Sequence, residues 1–222
     1  MIHLVDNLLQ NGVIKTDKVA RALKKVDRAE FCPSKHCYED NPQSINYNAT
    51  ISAPHMHAFA LEYLKDQLYP GAKVLDVGCG SGYLLAAFYE MIDRQGKVVG
   101  IEHIDQLTQL SIENLKKSYK QELINKDIEV ICGDGRKGYE QQAPYNVIHV
   151  GAGSEYVPQP LLDQLAIGGK LMIPEGPEGN QQIILYRKTH DGKIQSKALI
   201  GVRYIPLQAK EEQCPSLYQH QF

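Results

Sequence analysis

Apolar residues recur at helical spacing near the start of the chain. Val19, Leu23 and Val26 share one face behind a Thr16 cap, and the first 30 residues read as two short packing helices. From 32 to 56 the periodicity stops, interrupted by Pro33, Asn41, Pro42, Asn46, Asn48 and Pro54, which predicts an ordered loop system. Regular alternation follows. Ala60, Leu61, Leu64 and Leu68 mark a helix over 58–68, Pro70-Gly71 a turn, and 73–77 a strand. Further strands are expected over 97–101, 128–132, 146–150 and 170–174, with helices over 83–92, 105–118 and 158–166 between most of them. Strands alternating with helices predict an α/β fold, a doubly wound, Rossmann-like and mostly parallel sheet covered on both faces. Beyond Pro174 the pattern changes to 182–188, an Asp191-Gly192 turn and 194–205, an antiparallel C-terminal hairpin at the sheet edge. A polar tail over 208–222 is expected to lie on the surface.

A chain of 222 residues, 43% of them hydrophobic, can bury one substantial core, so a single domain is expected. Its 24 basic and 26 acidic residues leave a net charge of −2, and no global positive field exists to hold a phosphate backbone or an anionic membrane. Neither nucleic acid nor membrane is expected as a partner, and a monomer is expected. Residues 1–9 lack the charged-then-apolar order of a signal peptide, and no run of about 20 apolar residues follows. The 5 cysteines, Cys32, Cys37, Cys79, Cys132 and Cys214, show no CxxC pairing, which argues against a disulfide framework and a zinc ribbon. A reducing, cytoplasmic setting fits these features best.

The most informative stretch is VLDVGCGSGYLLAAF at 74–88. An apolar strand delivers Asp76, then Gly78, Gly80, Ser81 and Gly82, before an apolar helix. The spacing is G-x-G-x-G, not the G-x-G-x-x-G that seats a pyrophosphate on a helix N-terminus. About 20 residues further on, the next strand ends in Ile101-Glu102-His103, where a carboxylate is placed to grip a ribose diol. A third strand ends at Gly133-Asp134-Gly135, where a side chain and a main-chain N–H could hold an adenine edge. Three successive strand ends therefore converge on one nucleoside. His55 and His57 have no further Cys, His or acidic cluster beside them in the sequence to complete a metal site, so no metal is expected. Cys79 reads as a small residue in the loop rather than a reactive thiol.

The segment NATISAPHMH at 48–57 lies on the loop before the first doubly wound unit. Followed by VLDVGCGSG, GDGR at 133–136, IHVGA at 148–152 and IPL at 205–207, and preceded by NPQSI at 41–45, it closely resembles protein-L-isoaspartate O-methyltransferases, in order and over about the whole chain. That resemblance implies methyl transfer from S-adenosylmethionine, leaving S-adenosylhomocysteine, to the free α-carboxylate of isoaspartyl residues in damaged proteins and peptides. The resulting ester collapses without further catalysis to a succinimide. Ser52 matches the family's active-site serine. Ala49, Thr50, Ile51, His57, Asp76, Glu102, Asp134, Gly135 and Gln213 match positions lining its cofactor pocket, and Ser52, Gly78, Gly80, Ser81 and His103 are taken with them. On this reading 1–57 holds the N-terminal helices and the substrate and cofactor loops, 58–175 the doubly wound core, and 176–222 the hairpin and tail. Two positions depart from the family pattern. Gln208 stands where relatives often carry a small hydroxyl residue, and Glu102 where Asp is more common, although Glu can grip a diol from slightly further back.

The chemistry implied by the resemblance asks little of side chains. A carboxylate nucleophile is already ionised at neutral pH and a sulfonium methyl is already activated, so no strong general base is needed. Positioning alone can account for roughly 7–11 kcal/mol of a barrier. The Ser52 hydroxyl is expected to donate to the acceptor carboxylate and orient it without becoming a nucleophile. Outside the family pattern, a serine there would serve as well to cap the next helix. An extended peptide acceptor would meet main-chain groups of 202–207 by strand-like pairing. Competing readings keep the scaffold with a small molecule or RNA as acceptor, or use the glycine loop for a nicotinamide dinucleotide. The near-neutral charge counts against RNA, and the glycine spacing against the dinucleotide.

Overall fold

The computed structural model describes residues 1–215, so the last part of the polar tail, 216–222, lies outside the described residues. Two N-terminal helices open the chain, α1 (Ile2–Gln10) and α2 (Asp17–Lys25), with Leu4, Val5, Leu8, Val19 and Leu23 buried. Thr16 stands at the N-cap of α2 but does not cap it. Its hydroxyl and N–H, with the N–H of Lys15, donate instead to Glu62 Oε1 at 3.0, 2.8 and 2.8 Å, tying the helix pair to a later helix.

Within 32–56 the chain forms a small antiparallel hairpin, β1 (Gln43–Ser44) with β2 (Thr50–Ile51). Helix α3 (Pro54–Leu64) follows and begins four residues before the predicted 58. Pro54, with its preset φ and no N–H to satisfy, suits a first helical turn, so His55, Met56 and His57 lie on a helix rather than a loop. Then come β3 (Lys73–Val77), α4 (Tyr83–Met91), β4 (Lys97–Glu102), α5 (Asp105–Lys116), α6 (Lys120–Ile124) and β5 (Ile128–Cys132). The unforeseen α6 takes up the turn after α5. The chain continues through β6 (Tyr145–Val150), α7 (Gln159–Asp163), β7 (Leu165–Glu175), β8 (Gln181–Lys188), β9 (Ile194–Val202) and α8 (Lys210–Gln213). Helix α7 is shorter than the predicted 158–166 because Leu165 already pairs with Tyr145 in the sheet.

The large sheet runs β5-β4-β3-β6-β7-β8-β9. Its first five strands are mutually parallel, and β7–β8 and β8–β9 are antiparallel, which places the C-terminal hairpin at the edge as predicted. Alternation along the strands separates two cores. Val74, Val98, Val147 and Met172 join the core formed with α1 to α5, whereas Leu75, Val77, Val99, Ile101, Ile148 and Val150 join a thinner one under Leu161 and Leu162 of α7. Both faces of the central strands are therefore apolar, as a covered parallel sheet requires. The chain leaves β3 toward β4 and β5 and later returns to β3's other side as β6. That reversal opens a crevice at the C-terminal ends of the strands, where ligands bind in open α/β sheets. No helix among the described residues is long and apolar enough to cross a membrane.

Candidate active site

Strand β3 ends into a loop whose Gly78, Gly80 and Gly82 hold φ of +76°, +51° and +84°, in the left-handed region that side chains resist. The loop is pinned to β4: the Ile101 carbonyl accepts from the N–H groups of Gly78 and Cys79 at 2.8 and 3.1 Å. Gly100 of β4 leaves room for the loop, since a Cβ there would lie 2.9 Å from the Cys79 sulfur. Burial raises the Cys79 thiol's pKa well above its ordinary value, in keeping with an unreactive residue.

Glu102, buried at the end of β4, accepts the N–H of Gly80 on Oε2 at 3.1 Å and those of His103 and Ile104 on Oε1 at 2.8 and 3.1 Å. A carboxylate has about four acceptor sites, and the remaining one belongs to Oε2. Burial raises the Glu102 pKa despite these donors. Asp134 is committed differently. Arg136 grips its carboxylate through Nε and Nη2, both at 2.9 Å, and the Arg136 N–H adds a third bond at 3.0 Å. This pairing lowers the Asp134 pKa. Gly135 is needed for packing, because a Cβ there would fall 2.4 Å from Val77 Cγ1.

The loop before β2 forms the roof. Asn46, Tyr47 and Asn48 all have positive φ, a costly run for non-glycine residues. The C-terminal segment holds them: Asn48 Nδ2 donates to the Gln213 carbonyl at 2.8 Å and Gln213 Nε2 to the Tyr47 carbonyl at 3.0 Å. Gln213 Oε1 lies 2.7 Å from His103 Nε2, so one side chain clasps the roof to the end of β4.

Three adjoining hollows result. A cleft with ≈ 600 Å³ of empty space is lined by Ala49, Thr50, Gly78, Gly80, Glu102, His103, Asp134, Gly135 and Gln213. A second, of ≈ 340 Å³, is lined by Thr50, Ile51, Ser52, His57, Asp76, Gly78, Gly80 and Ser81. The residues expected to bind cofactor all border one or the other. A groove of ≈ 890 Å³ runs between Ser52–Met56 and Ile200–Ile205. Thr50 borders all three hollows and Ser52 the last two, so residues 50–52 form the partition between them. Burial raises the pKa of the Tyr204 phenol in the groove wall, and hydrogen bonding with the Ser52 side chain opposes that rise.

Sequence reasoning missed three contributors. His149 Nδ1 lies 2.7 Å from Asp76 Oδ1 in the second hollow, Arg136 occupies Asp134, and the buried Arg28 donates to the Ser52 carbonyl at 2.8 Å. Asp76 and His149 each interrupt an otherwise apolar buried strand, a visible signal of pairing. Arg28 left no such signal, because a polar residue at the end of an exposed-looking helix pair reads as solvated. The segment 202–207 is also less free than expected. The Ile205 carbonyl accepts from Gly153 at 2.8 Å, the Leu207 N–H donates back to Gly153, and the Tyr204 N–H donates to Gln181 Oε1 at 2.7 Å. His55 pairs with Asp40 at 2.9 Å, and among the described residues no group of three or more His, Cys, Asp or Glu is placed to hold a metal.

A doubly wound sheet with a glycine loop, a carboxylate and an Asp-Gly turn at three neighbouring strand ends defines the class: a Rossmann-like, S-adenosylmethionine-dependent methyltransferase. The family model for protein-L-isoaspartate(D-aspartate) O-methyltransferase (PCMT) matches residues 1–212. A Caenorhabditis elegans protein-L-isoaspartate O-methyltransferase is 51% identical over 95% of this chain and 93% of its own length. Protein-L-isoaspartate O-methyltransferase 1 of Arabidopsis thaliana is 43% identical over 95% and 92%. Among solved structures, a Plasmodium falciparum protein assigned to the same activity, in complex with S-adenosyl-L-homocysteine, superposes with a TM-score of 0.87 at 32% identity, covering 93% of this chain and 97% of that one. The chain belongs to the protein-L-isoaspartate O-methyltransferase family.

Proposed function

We propose that the chain transfers the methyl group of S-adenosylmethionine to the free α-carboxylate of isoaspartyl residues in damaged proteins and peptides, starting a repair that proceeds through a succinimide. The observation that carries this reading is the junction at residues 50–52. A nucleoside-sized cleft and a groove open enough for a peptide meet there, with the Ser52 residue on the boundary. The relatives' names point to the same acceptor.

The residues present fit the cofactor. Oε2 of Glu102 can accept from a ribose diol, apolar Val77, Ile101 and Leu207 can flank a base, and the backbone of Gly78 and Gly80 admits close approach. Asp134 contributes through its remaining acceptor capacity and the main chain of Gly135 rather than through a free carboxylate, because Arg136 already holds it. Gln213 and His103 act as a clasp over the cleft. Asp76, with His149 behind it, and His57 line the second hollow with Ser52.

When bound, the cofactor supplies an activated sulfonium methyl. The chain's own work is to seat the acceptor carboxylate in line with it and to exclude water. The Ser52 hydroxyl donates to that carboxylate and selects one oxygen, and Tyr204 across the groove limits where it can sit. A peptide in extended form lies along the groove, where the Ile205 N–H, which has no partner among the described residues, is available to it. We read residues 1–222 as one domain, supported by the N-terminal helices sharing a core with β3, β4 and β6.

The decisive experiment incubates the protein with methyl-labelled S-adenosylmethionine and two peptides that differ only in an isoaspartyl or a normal aspartyl residue. Base-labile label on the isoaspartyl peptide alone is expected. Label on both peptides, or on neither, would remove the proposed acceptor.

A further inference from the structure

Arg28 is fully buried, and no carboxylate among the described residues lies within ion-pair distance of its guanidinium. A buried cation without a paired anion is costly to keep. Its donors have defined targets instead: Nε donates to the Cys37 carbonyl at 2.7 Å, Nη2 to the Ser52 carbonyl at 2.8 Å, and Nη1 faces His57 Nδ1 at 3.4 Å. The guanidinium also lies 5.6 Å from the centre of the Tyr83 ring, and that ring packs on His57 with centroids 4.8 Å apart. Arg28, Tyr83 and His57 therefore form one block behind Ser52.

A guanidinium offers donors and no acceptor. The nitrogen of His57 that faces it must accept, so a neutral imidazole carries its single proton on Nε2. Nε2 has no hydrogen-bond partner among the described residues, and His57 lines the hollow shared with Ser52, Asp76 and the glycine loop. Burial, with the Arg28 charge second, holds the pKa of this imidazole well below its ordinary value, which keeps the ring neutral.

We propose that Arg28 is a positioning residue: it anchors the Ser52 main chain and locks His57 in the Nε2–H tautomer, turning a hydrogen-bond donor onto a carboxylate in that hollow. The ligand rests on the function proposed above, under which two carboxylates approach this place, one on the methionine part of the cofactor and one on the isoaspartyl acceptor. The tautomer does not rest on it. A lysine could not replace Arg28, because a point ammonium cannot address Ser52 and His57 from one rigid plane.

Nitrogen-15 NMR of the histidine side chains in the full chain, with His57 assigned by the signals lost in His57→Gln, tests the tautomer directly. At neutral pH, Nδ1 is expected to be unprotonated and Nε2 protonated. A proton on Nδ1, or on both nitrogens, would overturn the proposal whatever the acceptor, and this reading needs no variant of Arg28 to fold. Arg28→Met then separates the two carboxylates. It is expected to bind 5′-methylthioadenosine, which lacks the amino-acid part, as wild type does, and to show mixed His57 tautomers. Loss of one charge-assisted hydrogen bond raises either the Kd of S-adenosylhomocysteine or the KM of an isoaspartyl peptide by about 10-fold. A rise in Kd assigns the donor to the cofactor, and a rise in KM alone assigns it to the acceptor. Unchanged tautomer, Kd and KM in Arg28→Met would reject the positioning role. A wild-type protein inactive toward the isoaspartyl peptide would remove the functional reading and leave the NMR result to decide this one.

Discussion

At the scale of single residues, Ser52 is proposed to act on the acceptor and Glu102 on the cofactor. Ser52 sits on the boundary between the second hollow and the groove, with its carbonyl already held by Arg28, so its hydroxyl can be removed without releasing the main chain. Ser52→Ala is expected to bind S-adenosylhomocysteine normally and to lose about 10- to 100-fold in kcat, the equivalent of one hydrogen bond to a charged group. Wild-type turnover in that variant would end the assignment. Glu102→Gln is expected to weaken S-adenosylhomocysteine binding about 10-fold in calorimetric titration. The pH dependence follows from the raised Glu102 pKa, which burial causes. Protonation removes the acceptor, so wild-type affinity falls on acidification at a pH above that of an ordinary glutamate, and the Gln variant lacks this limb. Folding stability moves the other way. The folded state holds this proton more tightly than the unfolded chain, so the contribution is fully present below the ordinary pKa and lost as pH rises through the raised one. A wild-type affinity flat across that acidic range would contradict the diol grip.

The elements matter because each hollow is bounded by chain segments far apart in sequence. The glycine loop between β3 and α4 is held by β4, and the 46–48 roof by residue 213. The segment after β9 supplies the groove's far wall. Its Ile205 carbonyl is committed to Gly153 and its Ile205 N–H is not. Ile205→Pro deletes that N–H while keeping the carbonyl. The variant is expected to raise the KM for an isoaspartyl peptide several-fold, with S-adenosylhomocysteine affinity kept within about 2-fold, because one neutral hydrogen bond contributes about 0.5–1.5 kcal/mol. An unchanged KM would place the peptide main chain elsewhere.

For the whole molecule, the cleft proposed to hold the cofactor is lined from β3, β4, β5, the β2 roof and α8 at once, so binding there would link ligand and fold thermodynamically. S-adenosylhomocysteine at 100 times its Kd contributes about 2.7 kcal/mol. For a chain of this size that corresponds to a Tm increase of about 5–10 °C, measurable by calorimetry and smaller for Glu102→Gln at the same concentration. The absence of any shift would mean that the cleft does not hold this nucleoside. Much of this architecture was legible in the sequence for local reasons. Short, nearly continuous apolar runs mark the central strands, positive-φ glycines can follow β3 where other residues would be strained, and the carboxylate of Glu102 stands at a strand end whatever packs around it. Other features arise only from long-range contact. Leu165 leaves α7 to pair with Tyr145 in the sheet. Arg28 meets Ser52 and His57 across 24 and 29 residues of chain. Hydrophobic periodicity reports which face of an element is buried. It carries no record of which polar group, brought in from a distant segment, will take up the hydrogen bonds left inside.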